Sequence, residues 1–416
     1  MVDKNLFLHN LAVVSILKNE GPYLKEWLDY HLLAGVEHFY LYDNDSTDNQ
    51  AEVAKPYVEA GLVDYIPFPG KAMLFPAYED AVKNFKFQCR YMAFIDGDEF
   101  VYPKVDMGGG IVEVVDEILS HDPNAGGLSI HWQCFGSNGQ EKADYSKGVL
   151  ERFTRRAPKD WYMPPNKENP NLRGNCWIKD IVDPRKIKFF HCPHAMNYFE
   201  GFYSVDANSK PAVGATPFPI VTERIVINHY HTKSYEEFLI KVNRGRPETS
   251  NNWLVKETFE LQDRNEEFDD GILKYRAARA KNFSLESFDQ KFSRMAEALI
   301  ENLSEAGLSL ETALTCRALS TYLIKKFPND AVYWKICEEN SLNAILNSLN
   351  KISFADARLL IRELPNLLSL PYPAVKDLRV AALNIIPQLM NVMRVSGMWK
   401  DYAELDYIQD LLKLGG

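Results

Sequence analysis

The sequence predicts an α/β fold: a mostly parallel sheet with helices on both faces, followed by an all-α C-terminal region. Two observations predict the sheet. Continuous apolar runs such as "LAVVSIL" (Leu11 to Leu17) and "YMAFI" (Tyr91 to Ile95) read as strands buried on both faces. These runs alternate with amphipathic segments, the pattern of strand–helix–strand units. A third observation predicts the helical end. Beyond about residue 285 the chain reads as helical throughout, as in "LETALTCRALSTYLIKKF" and "AVKDLRVAALNIIPQLMNVM".

The elements follow in order. After the first strand, "GPYLKEWLDYHLLAG" is a helix. Pro22 suits its first turn, Gly35 suits its C-terminal cap, and Leu24, Trp27, Leu28, His31 and Leu32 fall on one face. "HFYLY" (His38 to Tyr42) is the second strand and runs straight into the polar turn "DNDSTDN". A helix over 50–60, the strand "VDYIPF" and a helix over 78–89 lead to "YMAFI". The amphipathic "GIVEVVDEILSHDP" and the strand "GLSIHWQCF" come next. From Gly136 the pattern loosens, and the Pro- and Asn-rich "APKDWYMPPNKENPNLRGN" reads as a long surface loop or lid. Strands return in "KIKFFHCPHA" and "ERIVINHYH". Ser234 and Glu237 stand at capping-box spacing, so a helix starts there and ends near Gly245. The division expected is an α/β domain over 1–250, a linker or helical connection over 251–285, and a helical domain over 286–416.

Composition narrows the class. The chain has 416 residues, 46% of them hydrophobic and 25% charged, which is globular and long enough for two or three domains. Its net charge of −10 argues against a nucleic-acid partner bound through overall positive charge, although a local basic patch stays open. The opening "MVDKNLFLHNLAVVSILKNEG" has too short an apolar run for a secretory signal, and no stretch reaches the ~20 apolar residues that span a bilayer. Cys89, Cys134, Cys176, Cys192, Cys316 and Cys337 form no CxxC pair, so reduced thiols are expected. The expectation is a soluble cytoplasmic protein.

Two acidic motifs lie at predicted strand ends, where parallel α/β sheets bind ligands. The first, "YDNDSTD", carries Asp43, Asp45 and Asp48, and reads either as a turn with helix-capping groups or as a ligand contact. The second, "IDGDEF", places Asp96, Asp98 and Glu99 within four residues of a buried strand. Three such carboxylates repel one another and call for a cation. A hard divalent ion, Mn2+ or Mg2+, takes oxygen ligands and leaves positions for phosphates. Alternate residues of an extended segment face opposite sides, so a turn at Gly97 is needed to bring Asp96 and Asp98 onto one ion.

The ordered set "VVSILKNEG…YLKEWLDYHLLAGVEHFYLYDNDSTDN…QCRYMAFIDGDEFVYP" resembles the GT-A fold of glycosyltransferases, the Rossmann-like nucleotide-diphospho-sugar transferase architecture. More narrowly it is similar to glycosyltransferase family 92 and family 2-like proteins. "HWQCFGSNG", "IKDIVDPRKI" and "INHYHTKSYEEFLIKVNRGRP" match the same pattern, which covers about residues 8–250. One departure is "FGSNGQ", where the pattern continues with a histidine; it bears on the acceptor side. The resemblance implies metal-dependent, inverting transfer of a sugar from a nucleotide-diphosphate donor, a UDP-sugar first. The acceptor implied is a glycan or glycolipid of cell-surface polysaccharide or lipopolysaccharide synthesis, met at the inner face of the membrane. It implies that Asp96 and Asp98, with Gly97 between them, hold the ion against the donor diphosphate. It places Asp43, with Asn44 or Asp45, at the base and ribose, and the backbone from Leu17 through Asn19 to Glu20 along the same pocket.

Family likeness also implies a late histidine as third metal ligand: His229 first, then His231 and His194. Satisfied core histidines are the competing reading. Lys233, Arg244 and Arg246 form a basic set that is either a solvated face or a clamp on the diphosphate. Inversion needs a carboxylate base, and Asp180, Asp183 and Glu223 are the candidates. "DRNEEFDDG" lacks calcium-loop spacing and reads as a solvated helix end or turn. Two rivals stand beside the transferase: a phosphotransferase with an aspartyl nucleophile, and a degenerate scaffold acting through its C-terminal helices. Those helices are open to packing on the first domain, oligomerisation or peripheral docking on a membrane.

Overall fold

The computed structural model describes residues 2–104, 109–163, 174–244, 257–282, 286, 288–349, 353–395 and 399–414. The chain forms two units, one of His9–Leu285 and the other of Met1–Leu8 with Glu286–Gly416. In the first unit the order opens β1 (His9–Leu17), α1 (Gly21–Leu33), β2 (His38–Asp43), α2 (Gln50–Glu59), β3 (Val63–Pro67) and α3 (Leu74–Phe85). It continues β4 (Cys89–Phe94), β5 (Glu99–Pro103), α4 (Ile111–Leu119), β6 (Ala125–Cys134), α5 (Val149–Arg152) and β7 (Arg155–Arg156). Then come β8 (Ile178–Val182), β9 (Ile187–Phe189), β10 (Asn197–Tyr198), β11 (Tyr203–Val205), β12 (Ile225–His229) and α6 (Tyr235–Arg244). It closes with α7 (Glu257–Gln262), β13 (Glu267–Phe268) and α8 (Gly271–Asn282).

The α/β sheet expected from sequence is the one that forms. Nine strands make it, in the order β3-β2-β1-β4-β8-β6-β12-β5, with β11 beside β6. Side-chain alternation builds two apolar layers from the same strands. Leu11, Val13 and Leu17 of β1 and Phe39 and Leu41 of β2 enter the layer that contains Trp27 and Leu28 of α1. Ala12, Val14, Ile16, Tyr40 and Tyr42 enter the opposite layer with Tyr78 and Val82 of α3. That helix begins at Leu74, earlier than the expected 78.

Two of the unexpected strands frame the acidic turn. β8 runs antiparallel between β4 and β6, and β5 pairs antiparallel with β12. In β8, "IKDIV", Lys179 and Asp180 are both buried, so no apolar run marks it. β5 starts on Glu99, inside the acidic motif itself. The presumed linker over 251–285 is partly helical core. Ile272 and Tyr275 of α8 are buried in the α1 layer, Tyr275 Oη donates to Gly109 O at 3.1 Å, and Arg279 Nε donates to Leu33 O at 3.0 Å. Residues 164–173 of the expected lid, and residues 251–256, lie outside the described residues.

The second unit is helical: α9 (Phe288–Ser304), α10 (Leu310–Lys326), α11 (Ala331–Ser348), α12 (Phe354–Leu368), α13 (Ala374–Val395) and α14 (Trp399–Leu414). Residues 1–8, expected with the α/β domain, belong here. Leu6 and Leu8 bury beside Met295, Leu299, Leu319 and Trp334. Among the described residues no helix is long and apolar enough to cross a membrane.

α6 carries much of the site's charge, and a buried network fixes its start. Ser234 Oγ accepts from Glu237 N at 3.3 Å, and Glu237 Oε2 accepts from Ser234 N at 3.1 Å, the reciprocal pattern that the spacing predicted. Glu237 is also gripped by Arg152, with Nη2–Oε1 at 2.6 Å and Nη1–Oε2 at 2.9 Å; both side chains are almost fully buried. Tyr23 Oη also donates to Glu237 Oε1, at 2.9 Å. Removing one partner strands a buried charge, so Arg152→Ala is expected to cost about 3–5 kcal/mol. Denaturant unfolding followed by tryptophan fluorescence measures it, and a loss below about 1 kcal/mol would mean that the carboxylate finds other donors.

Candidate functional site

The acidic motif is a tight turn joining β4 to β5. Glu99 N donates to Asp96 O at 3.1 Å, and Asp96 N donates back to Glu99 Oε2 at 2.9 Å. Gly97 is needed for closeness: a Cβ there would lie 2.9 Å from Leu17 Cδ2 and 3.4 Å from Glu20 Cγ. The turn therefore sits directly on the end of β1. β12 holds its other side. His229 is in register with Glu99, and Tyr230 N donates to Asp98 O at 2.9 Å.

The three carboxylates do not act alike. Glu99 is fully buried, and burial pushes its carboxyl well above the usual range. Asp96 turns to Lys179, whose Nζ is 3.1 Å from Asp96 Oδ2 and 3.9 Å from Glu99 Oε2. Burial disfavours the Lys179 ammonium, but Asp96 and Glu99 outweigh it and hold the group above its ordinary value. Asp98 turns the other way. Its Oδ2 is 2.5 Å from Lys241 Nζ and its Oδ1 is 3.5 Å from His229 Nε2. Desolvation opposes the Asp98 charge, yet Lys241 and His229 hold its carboxyl well below the usual range. Burial lowers both His229 and Lys241 from their ordinary values.

Among the described residues one group of potential metal ligands results: Asp98, His229 and His231, with one ligand atom of each within 4.8 Å of the others. Asp96, expected as the second carboxylate ligand, is outside it because its side chain serves Lys179. His229 has a buried Nδ1 without a hydrogen-bond partner among the described residues, and the mixed oxygen and nitrogen set suits a divalent ion such as Mn2+. His194 is elsewhere, stacked on Trp177 at 4.1 Å with Nδ1 at 3.1 Å from Ile178 O.

The loops beside this group hold the residues expected around a nucleotide. Leu17 O accepts from Asn44 N at 2.9 Å. Asn19, at φ +53, takes Thr47 N on its Oδ1 and gives its own N to Ser46 Oγ. Glu20 N donates to Gln50 Oε1, and Gln50 Nε2 donates to Asp43 Oδ1 and Tyr65 Oη. Asn44 Nδ2 reaches Phe68 O and Gly70 O, and Asp45 Oδ2 accepts from Gly70 N. Asp48 Oδ2 accepts from Gly21 N at the start of α1. The acidic loop is thus a hydrogen-bonded turn that leaves Asp45 exposed and Asp43 half-buried. Arg244 Nη1 closes the far side, donating to Lys18 O at 2.7 Å and Glu20 Oε1 at 2.5 Å. Lys233 lies 4.4 Å over the Tyr23 ring, and Arg246 lies outside the described residues.

A family model for glycosyltransferase family 92 matches residues 15–295. The chain belongs to glycosyltransferase family 92. It is 25% identical over 239 residues to a family 92 protein of Ricinus communis, covering 57% of this chain and 38% of that one. Against a family 92 protein of Oryza sativa subsp. japonica it is 24% identical over 259 residues, covering 62% and 39%. It therefore spans about two-fifths of the length of these relatives. Among solved structures it is similar to S. aureus TarS residues 1–349, at a TM-score of 0.31 and 13% identity over 82% of this chain and 90% of that one. It is also similar to HddC from Yersinia pseudotuberculosis, at a TM-score of 0.22 and 12% identity over 42% and 73%.

In this family 92 chain the three carboxylates expected as base lie away from the Asp98 group. Lys179 and Asp180 are neighbours on β8 and so face opposite sides of the sheet. Lys179 points to the acidic turn. Asp180 accepts from Ser129 Oγ at 2.7 Å and Met196 N at 3.0 Å, fully buried. Asp183 caps a short turn, pairs with Arg185 at 2.9 Å, and stands where Arg185 also meets Cys89 O, at the start of β4. The acidic turn is at that strand's other end, ~20 Å along. Glu223 precedes β12 at the end opposite His229 and pairs on the surface with Lys159. Sequence reasoning missed Lys179 and Lys241, which lie 83 and 143 residues from their partners.

Burial raises Asp180 from 3.8 to about 6. A raised folded pKa means that its contribution to stability is full below the unfolded value and is lost as pH climbs through about 6, a swing of about 3 kcal/mol. Asp180→Asn removes that titration. Denaturation across about pH 4 to 7 should therefore show wild type losing stability relative to the variant as pH rises, and parallel curves would contradict it.

Proposed function

We propose that the chain is a metal-dependent, inverting glycosyltransferase that moves a sugar from a nucleotide-diphosphate donor, a UDP-sugar, to a glycan or glycolipid acceptor. The observation that carries the reading is the Asp98, His229 and His231 group at the carboxyl end of the sheet, in a family 92 chain. Open α/β sheets bind their ligands at that edge.

Asp98, His229 and His231 would hold a divalent ion, Mn2+ rather than Mg2+, because two of the three ligands are imidazoles. When bound, the ion supplies positive charge against the leaving nucleotide diphosphate. Lys233 and Arg244 stand on either side of Lys241 in sequence and orient the diphosphate through charge-assisted hydrogen bonds. The loops from Leu17 to Glu20 and from Asp43 to Asp45 line the base and ribose, and Gln50 fixes their spacing. Lys179 keeps Asp96 turned from the ligand group, so Asp98 is the carboxylate that faces it. Six free cysteines support a cytoplasmic setting, with a lipid-linked acceptor met at the inner membrane face. The C-terminal helices would serve association with a second copy or with that surface.

A rival reading is a binding or scaffold protein on the same fold. The observation favouring it is Lys241, which already neutralises Asp98. Calorimetric titration of UDP with and without Mn2+ separates the two. Binding is expected to need Mn2+ and to weaken at least ~10-fold in Asp98→Asn. UDP-sugar hydrolysis without acceptor should follow the same pattern. A folded chain that binds no nucleotide with Mn2+ present would overturn the transferase reading.

A further inference from the structure

We infer that the Lys241 ammonium occupies the cation position of Asp98 and His231 in the nucleotide-free chain, and that it must be drawn off, onto a donor diphosphate, for a divalent ion to be held tightly there. The inference deepens the proposed donor site and rests on that reading for its nucleotide half.

The contacts are specific. Lys241 Nζ lies 2.5 Å from Asp98 Oδ2, 2.9 Å from His231 Nδ1 and 3.4 Å from His231 O. An ammonium has three donors and no acceptor, so at His231 the imidazole Nδ1 must offer its lone pair. That contact fixes the neutral tautomer: Nδ1 is bare and Nε2 carries the proton. Neither nitrogen of His231 can then ligate a metal, because one lone pair is engaged and the other nitrogen is protonated. Asp98 Oδ2 is engaged by the same ammonium. With Lys241 in place, His231 is blocked and Asp98 keeps only Oδ1, on the His229 side.

The ammonium is poised to leave. Burial disfavours its charge, and Lys233 and Arg244 add to that against the pull of Asp98. Three cations thus face two carboxylates, Asp98 and the Glu20 that Arg244 holds. An arriving diphosphate supplies the missing negative charge and takes Lys241 as a phosphate contact. His231 and Asp98 are then released to the ion. Metal and nucleotide bind with reciprocal positive coupling, because each removes the obstacle to the other.

The test is Mn2+ binding to the full chain, read from free Mn2+ by electron paramagnetic resonance, first without nucleotide and then with saturating UDP. Wild type should bind Mn2+ weakly alone and at least ~10-fold more tightly with UDP. Lys241→Met, and Lys241→Gln as a second variant that keeps a hydrogen-bonding end, should bind Mn2+ alone at least ~10-fold more tightly than wild type and show a smaller UDP effect. Adding Asp98→Asn to Lys241→Met should erase the gain, placing it at this site. Folded Lys241 variants that bind Mn2+ no better than wild type overturn the inference, as does wild-type Mn2+ affinity unmoved by bound UDP. If UDP does not bind at all, the donor reading falls, while the comparison in Mn2+ alone still decides the role of Lys241.

Discussion

The acidic turn after β4 depends on two lysines brought from distant segments. Asp96, Asp98 and Glu99 crowd a buried strand end, and such charges persist only when partners replace the water they lose. Lys179 supplies one from β8, and Lys241 supplies the other from α6. Much of the topology follows. β8 must lie beside β4 for Lys179 to reach the turn, and β12 must pair with β5 for His229 to face Asp98.

α6 is tied at both ends. Glu237 anchors its first turn to Arg152 and Tyr23, and Arg244 in its last turn grips the backbone at Lys18. Lys241 lies between these anchors. Its position relative to Asp98 is therefore set by the whole helix, not by its own contact alone, as expected of a site built on a rigid element.

Much of the sheet was legible because its chemistry is local. β1 and β2 are uninterrupted apolar runs that feed two layers by simple alternation, and Ser234 with Glu237 announces α6. β8 was hidden because two of its five residues are charged, and β5 because it begins within the acidic motif. The site was half legible. Asp98 and His229 stand where a strand-end reading puts them. Asp96 was expected on a divalent ion, while its side chain meets a cation of the chain's own, Lys179, that the motif does not announce. Asp180 drew attention as a carboxylate, although its neighbour on the opposite face was the residue that reaches the turn.

That pairing on β8 has a consequence for folding accuracy. Strand register is ordinarily enforced by apolar pattern, but β8 has little of one. A slip by one residue would carry Asp180 into the place of Lys179, setting a carboxyl where Asp96 and Glu99 now meet an ammonium. The same slip would carry the Lys179 ammonium into the place of Ile178, fully buried on the face that Asp180 occupies. Both faces would be penalised together. Electrostatic proofreading thus does for this strand what hydrophobic alternation does for its neighbours, and the residues that equip the site also align the strand that supports it.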